Sequence, residues 1–303
     1  MGAVYLNCKK VSPPKYWVYP FDNVYSTSRT TNIRERERVM LFILLLISVV
    51  GYTASAFIIL QTVFNGKAHK PALQIIPAGT AIIAHGWLIV QQLALDDFDH
   101  INLSSSLSIV ALFVTITSFV RFQRFNNLFL KPVIYLFSAL TCVLLVFTPV
   151  HLGADISSKH ALFIHIALSL IAYGILALAT LYAIQTSYLS RILKQRKNHS
   201  LLSKLPPLMS IERNFFNLLA LGTIALFVAL GSGFLFLEDM FAQNQAHKTI
   251  LTSLAAVIYL IALILHRISG LRGRIIVLLT LIASTLLTLG YFGSRFVKDF
   301  LLG

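Results

Sequence analysis

The sequence predicts an all-α polytopic membrane protein, a bundle of eight transmembrane helices. Three observations carry that expectation. Of 303 residues, 57% are hydrophobic and only 12% charged, with a mean hydropathy of +0.78, outside the range of an ordinary soluble domain. Apolar runs of about 20 residues recur along most of the chain, each able to cross ~30 Å of hydrocarbon as a helix. The basic residues between these runs collect in alternate loops, as they do in multi-pass membrane proteins.

Residues 1–39 stand apart from the rest. They carry Lys9, Lys10, Lys15, Arg29 and the run RERER (34–38), and they lack the apolar core of a signal peptide. Such a basic flank would hold the N-terminus inside, whereas the loops of the remaining chain place it outside. The segment is therefore expected to be a disordered tail or a mis-assigned start, with translation beginning at Met40, directly before LFILLLISVV. Residues 40–303 form the membrane domain.

The eight runs lie at about 41–64, 71–95, 104–121, 129–150, 161–188, 214–237, 249–268 and 275–296. The second contains Pro77 and His85, and the fourth holds Cys142. The fifth carries His165, Ser169 and Tyr173, spaced i, i+4 and i+8 and so on one helical stripe. The sixth has a small-residue face, Ala225, Ala229 and Gly233, which permits close helix approach. The seventh shows Ala255, Tyr259, Ala262 and His266 on one stripe, and the eighth Thr280, Ser284, Thr288 and Tyr291.

Fourteen Lys and Arg fall in one set of alternate loops, and only Lys159 and Lys248 between the spans of the opposite set. That opposite set holds Asp96, Asp97, Asp99, Asp155, Glu238 and Asp239. Both ends of the membrane domain are thus expected on the external face, the periplasm in a bacterium. This asymmetry and the basic tail account for the net charge of +14, so nothing asks for nucleic acid as a partner. Membrane lipid is the implied surrounding.

No Asp or Glu lies within a span, which counts against a carboxylate proton relay or a cation-coupled transporter. Cys8 and Cys142 offer neither a Cys-x-x-Cys redox pair nor a Cys-x-x-Cys-His for covalent haem. The buried ionisable set is histidine: His85, His165 and His266. Neutral imidazole suits both a membrane interior and iron, and two can clasp haem axially. A hydrogen bond to a neighbouring helix explains an isolated intramembrane His equally well, and periodicity alone does not choose between them.

The stretch FIHIALSLIAYGIL resembles the His-x-Ser-x-x-x-x-Ser-Tyr-Ala segment of the cytochrome c assembly superfamily, the CcsA, CcmC and HemX-type haem-handling membrane proteins. Ser232-Gly233 resembles that family's Ser-Gly pair, Lys248 and Tyr259 its Lys and Tyr, and Tyr291-Phe292-Gly293 its Tyr-Phe-Gly in the last span. His266 lies near its intramembrane His. PPLMSIER (206–213) and YFGSR (291–295) resemble the YpjD-like inner-membrane branch, in which His85 also has a counterpart. The likeness covers roughly residues 40–303. Two features depart from haem-delivering members: residues 238–248 contain no Trp, and no His follows Tyr291-Phe292-Gly293.

The resemblance implies a non-catalytic haem-binding protein of the inner membrane, acting in cytochrome c assembly or tetrapyrrole homeostasis. Its cofactor would be non-covalent haem b, and other cytochrome biogenesis membrane proteins are the implied partners. His165 would be a haem ligand, with Ser169 and Tyr173 orienting it or meeting a propionate. Counting along untilted helices puts His85 ~3 Å and His165 ~9 Å outside the midplane, and His266 ~11 Å inside it. His85 and His165 are therefore the expected axial metal ligands, with His266 in a separate inner site or a structural contact. A small-molecule permease, which would favour paired interrupted helices near Pro77 and Gly231–Gly233, and a scaffold without ligand remain alternatives.

Overall fold

The computed structural model describes residues 22–65, 71–96, 98, 100–120, 130–149, 154–155, 160–195, 208–236 and 246–293. The chain divides into two units, Met1–Met40 and Leu41–Gly303. In the first, the expected tail, the chain is helical from Asp22, and residues 1–21 lie outside the described set.

The helices are α1 (Asp22–Asn65), α2 (Pro71–Ala94), α3 (Leu103–Val120), α4 (Lys131–Phe147), α5 (His160–Gln195), α6 (Leu208–Phe236), α7 (Ala246–Ser269) and α8 (Arg274–Thr288). The last continues as a π-helical turn over Leu289–Gly293. Seven of the eight contain segments long and apolar enough to cross a membrane. The exception is α4, whose 17 residues rise about 25 Å. The apolar run 129–150 promised more, but Pro149 holds the preceding Thr148 in an extended conformation (φ −88°, ψ 132°), and the helix stops there.

Connections show that the helices alternate in direction. Strand β1 (His100–Ile101) follows α2 and pairs antiparallel with β2 (Ala154–Asp155), which follows α4. Asn102 ties the same end together. Its Oδ1 accepts from the Ser105 backbone N–H at 2.8 Å, capping α3, and its Nδ2 donates to the Pro149 carbonyl at 3.2 Å. At the opposite end, Arg272 between α7 and α8 meets Glu212 at the start of α6 at 3.7 Å.

Lipid-like hydrocarbon gives helices little hydrophobic reason to associate, so small residues mediate close packing, beside buried larger side chains such as Leu88, Leu176 and Phe215, and many other large apolar residues face outward. Ala78, Ala81, Ala111, Ala172, Ala179, Ala183, Ala255, Ala262 and Ala283 are buried, while Ile83 and Leu235 are 75% and 81% exposed. Gly51 of α1 lies so close to α2 that an added Cβ would stand 2.6 Å from the Pro77 carbonyl. Lys131, one of the fourteen basic residues, is buried at the start of α4 rather than solvated in a loop. The central helix is α5, which packs on α3, α6 and α8, while α2 packs on α3 and α4.

Candidate functional site

The intramembrane histidines occupy three different seams. His85 is fully buried between α1 and α3. Its Nδ1 lies 3.1 Å from the Tyr52 hydroxyl and its Nε2 2.8 Å from Ser108 Oγ. The Tyr52 ring stands edge-on to the imidazole and stacks on Tyr135 of α4, with centroids 5.8 Å apart in each case. Both ring nitrogens are thus engaged by protein, and iron could be taken only after breaking one of these bonds.

His165 is half-buried near the start of α5 and faces α6. Its Nδ1 lies 3.0 Å from Ser232 Oγ, and that hydroxyl donates to the Ala229 carbonyl at 2.8 Å. The His165 ring is thus held against α6 by the Ser232 hydroxyl, with the Ala229 backbone also within hydrogen-bonding reach, and metal-ligating imidazoles commonly carry such a partner behind them.

One turn further along the stripe, Ser169 is half-buried. After another turn, the Tyr173 hydroxyl bonds Thr288 Oγ1 of α8 at 3.0 Å. The π-turn supplies the rest of this cluster: Tyr173 packs edge-on against Phe292 at 5.0 Å and lies 6.4 Å from Tyr291. The Tyr291 hydroxyl reaches Ser106 of α3 at 3.4 Å. Thus the Tyr-Phe-Gly segment and the α5 stripe, more than a hundred residues apart, form one polar and aromatic cluster in the half of the bundle that holds His165.

His266 serves the opposite end. Its Nδ1 donates to the Leu271 carbonyl at 3.0 Å, fastening the α7–α8 connection, and its ring stacks on Phe216 of α6 (3.4 Å, 8°). Gly270 and Gly273 give that connection its positive φ angles of 60° and 81°. Tyr259 is fully buried, its hydroxyl beside Ser284 and Thr180.

The structure therefore brings His165 to Ser232 and Tyr173 to Thr288, Tyr291 and Phe292. It gives His85 a separate set of partners on α1 and α3. Sequence reasoning named Ser232 through resemblance, and Tyr291 through resemblance and the polar stripe of the eighth run, but not their partners, and it missed Tyr52 and Ser108, which carried no spacing signal linking them to His85. Residues 238–245, where the Trp-rich loop is wanting, and Ser294-Arg295 lie outside the described set. Among the described residues, no three His, Cys, Asp or Glu gather as a metal site.

The fold is that of a multi-pass α-helical membrane bundle, with its intramembrane histidines on separate polar seams. Residues 43–302 match the family model described as Cytochrome C assembly protein, and the chain belongs to that family. It is 29% identical to the inner membrane protein YpjD of Escherichia coli (strain K12) over 256 residues, 84% of this chain and 97% of that protein. It is also 36% identical over 142 residues to an uncharacterized 28.8 kDa protein in the nifR3-like 5' region of Azospirillum brasilense, covering 46% of this chain and 52% of that one. No solved structure matches it significantly. The chain is a multi-pass inner-membrane protein.

Proposed function

We propose that the protein is a non-catalytic haem-handling protein acting in cytochrome c assembly or tetrapyrrole homeostasis, with haem b held non-covalently against α5. Family membership supports the setting, and the observation that carries the reading is the His165–Ser232 contact: a half-buried imidazole anchored on α6 through Nδ1. Bound there, haem would supply a redox-active iron. His165 would provide that nitrogen. Tyr173 and Tyr291, whose hydroxyls are already aimed into the same half of the bundle, would bound the space around the macrocycle.

His85 fits the group less well, because ligation would leave Tyr52 or Ser108 without its partner in a fully buried setting, a loss of about 1–3 kcal/mol. His266 is similarly committed to Leu271 and Phe216. We therefore assign His165 the ligand role and His85 and His266 structural ones. In the same reading α4 is the eighth span: it runs between the same two ends of the bundle as α3, and Thr115 of α3 bonds Ser138 of α4 at 2.6 Å near mid-helix. Other cytochrome biogenesis membrane proteins are its proposed partners.

The permease alternative loses its main support, since α2 continues through Pro77 and α6 through Gly231–Gly233 as unbroken helices. The deciding experiment is the absorption spectrum of detergent-purified protein, as isolated and after addition of haemin. A Soret band that disappears in His165→Ala but persists in His266→Ala is expected. Absence of any band in wild type after reconstitution would leave the scaffold reading in its place.

A further inference from the structure

The contact between His165 and Ser232 has a direction that the surrounding bonds determine. A serine hydroxyl carries one proton and can donate only once. Ser232 Oγ lies 2.8 Å from the Ala229 carbonyl, which can only accept, so its proton points there. At the 3.0 Å contact with His165 the hydroxyl must then accept, and Nδ1 must donate. In a neutral imidazole that leaves the lone pair on Nε2. The other buried histidine shows the contrast. Among the described residues Tyr52 and Ser108 show no second hydrogen bond that would fix their hydroxyl protons, so either tautomer of His85 is satisfied.

We propose that Ser232 is a positioning residue that holds His165 as the Nδ1–H tautomer and so presents Nε2 as a metal-ligating nitrogen. The backbone carbonyl of Ala229, one helical turn before Ser232, is part of the device because it accepts the hydrogen bond of the serine hydroxyl and lies within hydrogen-bonding reach of the His165 ring as well. The inference builds on the haem reading, yet its first half concerns this chain alone and has a readout without haem.

The test uses full-length protein labelled with [15N]histidine, in lipid, by magic-angle-spinning NMR, with the His165 signals assigned by their loss in His165→Gln. Wild type should show a protonated Nδ1 and a bare Nε2. Ser232→Ala should move the signal toward the Nε2–H form, and Ser232→Thr, which keeps the hydroxyl, should restore it. Haemin titration of the same samples should show about 10–100-fold weaker binding in Ser232→Ala, the usual effect of removing a partner behind a metal-ligating histidine, with recovery in Ser232→Thr. An Nε2–H tautomer in wild type, or no change in tautomer and haem affinity in Ser232→Ala, overturns the proposal. If the tautomer responds as described while no variant binds haem, the positioning by Ser232 stands and the haem reading is the part that falls.

Discussion

Replacing His85 by Ala separates a structural role from a ligand role, because the two predict opposite phenotypes. The side chain is fully buried and bonds Tyr52 of α1 through Nδ1 and Ser108 of α3 through Nε2. Interhelical side-chain bonds in membrane proteins are worth about 0.6 kcal/mol on average and up to about 1.7 kcal/mol, so losing two costs roughly 1–3 kcal/mol. The vacated ring leaves a space between Tyr52 and Ser108, and large-to-small changes in packed interiors add about 2 kcal/mol or more. A loss of about 3–5 kcal/mol is expected. SDS-driven unfolding in mixed micelles, followed by circular dichroism, measures it. Tyr52→Phe and Ser108→Ala should each cost about 1 kcal/mol, and the double variants with His85→Ala should fall well short of additivity. The folded fraction of His85→Ala, reconstituted with haemin, should keep its Soret band. A variant within about 0.5 kcal/mol of wild type that nonetheless loses the band would refute the reasoning and restore His85 as an iron ligand.

Two further outcomes follow from packing and charge. Gly51→Ala should destabilise the bundle by about 1–3 kcal/mol in the same unfolding assay, because the new Cβ would meet the Pro77 carbonyl at 2.6 Å and Ala81 Cβ at 2.8 Å, whereas Gly231→Ala, with nothing within 4 Å, should be tolerated. Reporter fusions after Gly66 and after Lys197 should report cytoplasm and a fusion after Asp97 periplasm, as the fourteen-to-two distribution of basic residues requires, and the reverse pattern would invert the whole orientation.

Hydropathy made the helices legible because each span is a local, contiguous property of the chain. The ends were harder. The run 129–150 overshot α4 because side-chain hydropathy is blind to the extended backbone that Pro149 imposes on Thr148. The run 161–188 fell short of α5, which extends through polar residues to Gln195. The stripe of His165, Ser169 and Tyr173 was readable from its period of four, whereas its partners were not. Ser232 lies 67 residues from His165 and Thr288 115 from Tyr173, and only the fold places them in contact. Depth along untilted helices put His85 near His165 in height, but height carries no information about which seam a residue faces. His85 turns toward α1 and α3, and His165 toward α6.

Helix α3 has a consequence for how distant parts of the bundle can affect one another. Ser106 and Ser108 are two positions apart, so they project from nearly opposite sides of the helix. One meets Tyr291 and the other His85. The helix is a party wall with a fixture on each side. A turn of α3 about its own axis swings both hydroxyls at once, drawing one off its partner as the other shifts. The cluster around Tyr173 and Tyr291 therefore shares one helix with the packing of α1 and α2 on the far side.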